Sequence, residues 1–164
     1  MPLEESAHAV RAELRRVLVI DGTLAGLVYF HDDGRIEPFL HPRDRATGIA
    51  YSLLPMVHAI LYDLFTSEEA MAHDEIIRGH LLAPDGARLF DRPIRYQGGP
   101  MSHFQRAESS TFFGREVGIM YMHAHLRYAE AMAREGAADA FFLALRQANP
   151  IALRSVVPTA KLRQ

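Results

Sequence analysis

Residues 115–134, REVGIMYMHAHLRYAEAMAR, carry the strongest helical pattern in the sequence. Apolar side chains recur there at spacings of three or four residues, which places them on one face of a helix: Val117, Met120, Tyr121, Ala124, Tyr128 and Ala131. Gly136 follows at a position where glycine commonly ends a helix. The stretch predicts an amphipathic helix over 115–134 and, with its neighbours, a mainly α protein.

The segments around this helix are also predominantly helical in pattern. A helix is predicted over 138–147, where Asn149-Pro150 stops it. Apolar residues at helical spacing predict another over 3–19, before Asp21-Gly22. Thr66-Ser67-Glu68-Glu69 has the form of a capping box, so a helix is expected from there to about Leu82.

Two segments of the N-terminal half are less regular. Residues 24–30 and 36–40 flank the turn signal His31-Asp32-Asp33-Gly34 and predict a short β-hairpin. Residues 45–65 are continuously apolar, and Pro55 must either kink one helix or lie in the first turn of a second. A kinked buried helix is the interpretation that we favour for 45–65.

Residues 83–112 are rich in turn formers and predict one long loop. Loops of this length are uncommon inside compact domains and are often functional. The loop carries Arg92, Arg95, Arg106 and Glu108 among several aromatic residues. Arginine forks and aromatic faces suit polyhydroxylated or phosphorylated small molecules, but the same residues could pin the loop to its own domain.

Composition narrows the classes of function. The chain has 164 residues, 49% hydrophobic, with a net charge of -2 and no cysteine. This fits one domain, residues 1–164, and excludes thiolate chemistry and sulfur-ligated metal sites. Without a basic stripe no nucleic-acid partner is expected, and residues 49–65 are too short to span a membrane. Residues 1–16 do not have the pattern of a secretory signal, so a cytoplasmic location is expected.

The helix over 115–134 also carries a polar stripe. Glu116, His123, Arg127 and Glu130 fall along one side of it. These groups either satisfy one another or form a ligand-facing wall. His123 and His125 point about 200° apart on a helix, so one metal ion cannot bind both.

Other histidines give no stronger signal. His73 and His80 share a helix face but are too far apart for one zinc ion, so a solvated face is expected. His58 lies in the most apolar segment and is interpreted as a core residue without a functional role. The nucleophile-elbow, P-loop and dinucleotide-binding motifs are absent from the sequence.

The segment RAESSTFFGREVGIMYMHAH, residues 106–125, followed by Asn149-Pro150-Ile151, resembles a known family. It is similar to the late catalytic-domain region of inverting glycoside phosphorylases of the cellobiose phosphorylase type. These enzymes carry Glu-x-Gly-x-x-Tyr-x-His, matched here by Glu116, Gly118, Tyr121 and His123. Within that family the nearest resemblance is to 1,2-β-oligoglucan phosphorylases, and it extends over most of the chain.

The resemblance implies a fold and an activity. It implies part of an (α/α)6 toroid with one long loop, from an enzyme that phosphorolyses β-1,2-linked glucooligosaccharides to α-glucose 1-phosphate with inversion. His123 would bind inorganic phosphate, and Glu116, Arg106 and Glu108 would contact the β-glucooligosaccharide. No metal or organic cofactor is implied.

The sequence departs from the family pattern in one respect. The family's catalytic aspartate lies well upstream of the motif, and Asp21, Asp32 and Asp33 do not match its setting, so no general acid is assigned. We therefore expect a fragment of a larger enzyme, inactive alone, whose partner is the rest of that enzyme. An apolar face left uncovered would favour a homodimer.

Two other interpretations stay open. The chain could be a non-catalytic helical domain that binds a sugar or a protein. It could also be a self-contained hydrolase using Glu108 or Glu116 as the acid, which requires a second placed carboxylate.

Overall fold

A computed structural model describes residues 3–93, 118–151 and 153–159. Within these residues the protein is mainly helical, as predicted. Its helices are α1 (Leu3–Leu18), α2 (Leu53–Leu61), α3 (Ser67–Ile76), α4 (Met122–Arg134), α5 (Ala138–Ala148) and the short α6 (Leu153–Val156). The π-helical turn Ile77–Leu81 continues α3.

Three short antiparallel hairpins connect the helices in the described residues. They are β1 (Val19–Ile20) with β2 (Thr23–Leu24), β3 (Leu27–Phe30) with β4 (Ile36–Phe39), and β5 (Leu82–Ala83) with β6 (Gly86–Ala87). The predicted hairpin at 24–40 corresponds to β3–β4. The Asp21-Gly22 signal turns out to join β1 and β2, with φ values of 50° and 75° at its two residues, as two-residue hairpin loops require.

The prediction of a kinked helix over 45–65 is wrong. Helix α2 begins only at Leu53, and Pro55 lies in its first turn, where its missing N–H would have no partner in the helix. The preceding backbone is bonded to side chains instead. Asp44 Oδ1 accepts the amides of Ala46 and Thr47 at 2.9 Å each, and Asp91 Oδ1 accepts those of Ala50 and Tyr51 at 2.9 and 3.0 Å.

The capping box at the start of α3 is confirmed. Thr66 Oγ1 accepts the Glu69 amide at 3.3 Å, and Glu69 Oε2 accepts the Thr66 amide at 2.8 Å. The helix then runs to Leu81, close to the predicted end, but its last five residues form a wider π-helical turn.

The helix predicted over 115–134 begins later than expected. Residues 118–121 are not helical, and Met120 forms an isolated β-bridge with Arg88. Residues 115–117 lie outside the described part of the chain. The end at Gly136, which has a φ of 71°, and the helix over 138–148 are as predicted.

The core lies where α2, α3, α4 and α5 pack together. Its fully buried members include Leu53, Met56, Ile77, Tyr128 and Met132. Helix α1 contributes little to it, because Val17 is the buried residue of that helix. Val10 and Leu14 are 59% and 41% exposed and line an apolar groove of about 520 Å³ between α1 and α2.

Candidate functional site

The N-terminal turn of α4 presents the residues of the sequence motif. Tyr121 is the N-cap residue and provides no side-chain hydrogen bond to the turn, and no acidic residue lies in it. The first amides of a helix have no intrahelical partner and carry a partial positive charge. His123 is the second helical residue and is exposed. This end of α4 is therefore suited to an anionic ligand.

His123 is flanked by exposed, largely apolar side chains. Tyr121 and Met122 are 39% and 41% exposed. The rings of Tyr121 and His123 lie 6.3 Å apart, centroid to centroid. An imidazole beside an aromatic ring at an open helix end can donate a hydrogen bond to an oxygen anion that approaches from solvent.

His125 lies on the opposite side of the same turn and is fully buried. Its Nδ1 accepts the Ala87 amide at 3.0 Å, and its Nε2 donates to the Ala144 carbonyl at 2.8 Å. Burial lowers the pKa of His125 below its usual range. His123 and His125 therefore lie on different sides of α4, as the helical spacing predicts.

The β5–β6 hairpin packs closely against this turn. A Cβ atom on Gly86 would lie 2.6 Å from Met120 Cγ and 3.1 Å from the His125 ring, and the φ of Gly86 is 124°. Only glycine fits such a position without rearrangement. Arg88 follows the hairpin and donates to Asp85 Oδ1 at 2.7 Å.

Two members of the predicted polar stripe on α4 pair with each other. Arg127 Nη1 donates to Glu130 Oε2 at 2.5 Å, so these two groups satisfy each other. The structure records no hydrogen bond between the His123 side chain and another described residue, and Glu116 lies outside the described ranges. His123 is thus the member of the stripe that stays open to a ligand in the described structure.

The predicted solvated face of His73 and His80 is wrong for His73. That ring is fully buried, accepts the Leu24 amide at 3.1 Å through Nε2 and donates to the Glu69 carbonyl at 2.7 Å through Nδ1. His80 is exposed and stacks on Tyr51. In the described ranges, no cluster of three or more histidine or acidic side chains could hold a metal ion.

The prediction that His58 is a core residue is also wrong. Although α2 is the most apolar helix, His58 lies on its exposed side, in the groove next to α1. Its ring centroid is 5.8 Å from that of Tyr62.

Of the four charged loop residues singled out in the sequence, one lies in the described part of the chain and three do not. Arg92 Nε donates to the neighbouring Asp91 Oδ2 at 2.7 Å, and Asp91, not Arg92, attaches this part of the loop to the domain by binding backbone amides before α2. Arg95, Arg106 and Glu108 lie outside the described residues.

Asp21 pairs with Arg43, and Asp33 accepts the Arg35 amide at 2.9 Å. Both aspartates lie in exposed turns, and neither is assigned as a general acid.

Sequence reasoning missed a buried polar cluster beneath α4. Tyr128 Oη donates to Asp74 Oδ1 at 3.1 Å, and Arg78 Nη2 lies 2.5 Å from Asp74 Oδ2. Burial and the neighbouring Asp74 carboxylate raise the pKa of Tyr128. The four-residue spacing of Asp74 and Arg78 was a visible signal, but the tyrosine is 54 residues away in the sequence.

The chain is similar to a 1,2-beta-oligoglucan phosphorylase from Listeria innocua serovar 6a. The two are 40% identical over 162 residues, which is 98% of this chain and 15% of the relative. The resemblance inferred from the motif is thereby confirmed, and the chain spans only a small part of the length of the relative that it matches. No protein-family model matches the chain. Among the helices of the described ranges, none combines the length and apolar character needed to cross a bilayer.

Proposed function

We propose that this chain forms part of an enzyme that phosphorolyses β-1,2-linked glucooligosaccharides to α-glucose 1-phosphate with inversion. The identity to a 1,2-beta-oligoglucan phosphorylase over 98% of the chain is the observation that carries the proposal. In this proposal the described helices belong to an (α/α)6 toroid, whose basic unit is an antiparallel helix pair such as α4 and α5. The proposed enzyme acts in the cytoplasm.

His123 is the proposed phosphate ligand. Its ring is exposed at the N-terminal end of α4, where the free helix amides and the helix dipole favour an anion. Hydrogen bonds from an imidazole and from amides to a phosphate oxygen are charge-assisted and therefore strong. Glu116, Arg106 and Glu108 are the proposed sugar contacts, on the strength of their positions in and next to the motif.

The proposed reaction exchanges one bond for another at the anomeric carbon. A phosphate oxygen forms a bond to that carbon from one face, the glycosidic C–O bond breaks on the other, and a carboxylic acid protonates the leaving oxygen. His123 would hold and orient the attacking phosphate. The acid is not assigned to this chain, so the chain alone is expected to bind phosphate without turning over the glucan.

The test is an amide NMR titration of the chain with inorganic phosphate and then with sophorose. Saturable shifts centred on His123 and on the first turn of α4, absent in His123→Ala, are expected. His8→Ala is the matched control, since His8 is an exposed histidine of α1 and should leave the shifts unchanged. Shifts that survive in His123→Ala, or that are absent in the wild-type chain, contradict the proposed role.

A second candidate is a non-catalytic helical domain that binds a sugar or a protein. The uncovered apolar face of α1, with Val10 and Leu14 exposed, favours it, since such a face can pack on a partner or on a second copy of the chain. This candidate predicts sophorose binding that does not depend on phosphate or on His123. The same titration, run with sophorose before phosphate, separates the two candidates.

A further inference from the structure

The buried ring of His125 joins three elements of the structure. Through Nδ1 it accepts the Ala87 amide of β6 at 3.0 Å, and through Nε2 it donates to the Ala144 carbonyl of α5 at 2.8 Å. The ring itself belongs to α4. A neutral imidazole can accept at one nitrogen and donate at the other, whereas a protonated imidazole only donates. The arrangement therefore requires the neutral ring.

The β6 backbone packs closely against the His125 ring, so β6 has little freedom to move while the Ala87 amide is bonded to His125 Nδ1. The missing side chain of Gly86 leaves just enough room for the His125 ring and for Met120. Met120 precedes the first turn of α4, and His123 and His125 lie within that turn, on opposite sides of it. The position of this turn is thus coupled to the contact between β6 and His125.

We propose that His125 is a positioning residue for the phosphate site: its neutral ring clamps β6 and α5 to the first turn of α4, and protonation of the ring releases the clamp. That the ligand is phosphate rests on the proposed function, whereas the clamp itself rests only on the contacts of His125. Release would loosen the turn from which His123 projects, so phosphate binding would weaken in acid.

Two charged groups and one tyrosine face the His125 ring from the packed elements. Asp85, in the β5–β6 turn, raises the pKa of His125, and Arg88, after β6, lowers it. These two side chains bind each other at 2.7 Å, so their opposing effects are coupled. Tyr128, on α4 itself, has its ring 6.3 Å away and a raised pKa of its own. Burial is the largest influence and keeps the ring neutral.

The direction of the pH effect follows from the lowered pKa. Because the folded state holds the proton less tightly than the unfolded state, the clamp is fully formed above the ordinary histidine pKa of about 6.5. It is lost as the pH falls through the lower pKa of the folded state.

His73 provides a matched control in the same molecule. It is also fully buried, and its ring also joins a backbone amide, of Leu24, to a backbone carbonyl, of Glu69. Burial lowers its pKa as well. It clamps β2 to α3, however, and among the described residues no hydrogen bond is seen between it and the first turn of α4.

The experiment compares the wild-type chain with His125→Gln and His73→Gln. A glutamine amide has one donor group and one acceptor, as neutral histidine does, but does not titrate in this range. Three readouts are taken at about pH 7.5 and about pH 5: hydrogen exchange of the Ala87 amide corrected for intrinsic rate, the His123 amide shift without ligand, and the Kd for inorganic phosphate. Comparing the variants at the same pH cancels every pH effect that they share, including the ionisation of phosphate itself.

At about pH 5 the wild-type Ala87 amide should exchange about tenfold faster than in His125→Gln, because the released ring takes up a proton that the clamped ring cannot. The His123 amide shift should move with it, the phosphate Kd should rise relative to His125→Gln, and His73→Gln should behave as wild type does. Equal Ala87 protection in wild type and His125→Gln at both pH values overturns the proposal, as does equal phosphate affinity in these two chains. If Ala87 and His123 respond but phosphate binds at neither pH, the clamp stands and the proposed function fails.

Discussion

Helices α1 and α4 are both amphipathic, yet they are used in opposite ways. Helix α4 buries Ala124, His125, Tyr128, Ala129, Ala131 and Met132 against its neighbours. Helix α1 buries Val17, while Leu3, Val10 and Leu14 stay exposed. The periodicity of a sequence identifies the apolar face of a helix, but it does not show whether the same chain covers that face.

The two helices are also attached differently. Helix α4 is attached mainly by packing, together with the hydrogen bonds of its buried His125 and Tyr128. Helix α1 is attached near its end by Arg15, whose two guanidinium nitrogens bind the two Glu69 oxygens at 2.7 and 2.8 Å, and which also donates to the Leu64 carbonyl. Part of the attachment of α1 therefore depends on the charge of one carboxylate.

The largest expected effect tests the contrast in burial. Met132→Ala on α4 removes a side chain that is 1% exposed and should lower the free energy of unfolding by about 2–5 kcal/mol. Leu14→Ala on α1, at a position 41% exposed, should cost less than about 1 kcal/mol. Urea unfolding followed by circular dichroism measures both, and equal costs would show that α1 is packed as firmly as α4.

A smaller effect concerns Glu69, which completes the cap of α3 and also binds Arg15 of α1. Thr66→Ala removes one half of the capping box that Glu69 completes, and should cost about 1 kcal/mol in the same urea assay. The Arg15 guanidinium, helped by the Thr66 amide, lowers the pKa of Glu69 to about 2. The stabilisation that the ionised Glu69 carboxylate provides is therefore complete above the ordinary glutamate pKa. It is lost as the pH falls from about 4.5 toward 2.

Glu69→Gln provides the control for that pH dependence. It should remove the acid-dependent loss in this range, while leaving the loss below pH 6.5 that comes from the buried histidines. An unchanged acid profile in Glu69→Gln would exclude this carboxylate as the titrating anchor of α1.

The smallest effect concerns the polar stripe of α4. Arg127→Ala breaks an exposed pair with Glu130, and such pairs contribute little because water and salt screen them. We expect no measurable change in Tm by differential scanning calorimetry, and the same for His123→Ala. A clear drop in Tm for His123→Ala would mean that this side chain stabilises the fold and is not free to bind a ligand.

Much of the helical framework follows from local sequence. The capping box at Thr66, the stop at Gly136 and the periodicity of 3–19 and 138–147 predicted four helices with bounds close to those observed, except for the start of α4, which lies at Met122. Each of these signals acts over a few neighbouring residues, where propensity and capping dominate. That His123 and His125 point to different sides of the helix also followed from helical spacing alone.

The errors arise where distant residues decide the outcome. His73 is buried because Leu24, 49 residues earlier in the sequence, needs a hydrogen-bond acceptor. Helix α2 begins at Leu53 instead of Arg45 because Asp91 and Asp44 bind the backbone amides before it. The pattern around His73 does not contain this information, whereas Asp44, next to Arg45, is a local signal and only Asp91 is distant. The role of Arg106, Glu108 and Glu116 stays a prediction from the motif.

The π-helical turn Ile77–Leu81 has a consequence for how the chain tolerates changes in length. A π turn holds one more residue than an α turn, so it can take up a surplus residue without rotating the chain that follows. Deleting Gly79, whose surroundings are open, would return this turn to α geometry, whereas the same deletion in a regular α-helix would rotate everything after it by about 100°. Leu81 would stay in the core, and the β5–β6 hairpin would still meet His125. The register of that hairpin therefore tolerates the loss of one residue seven positions before Gly86.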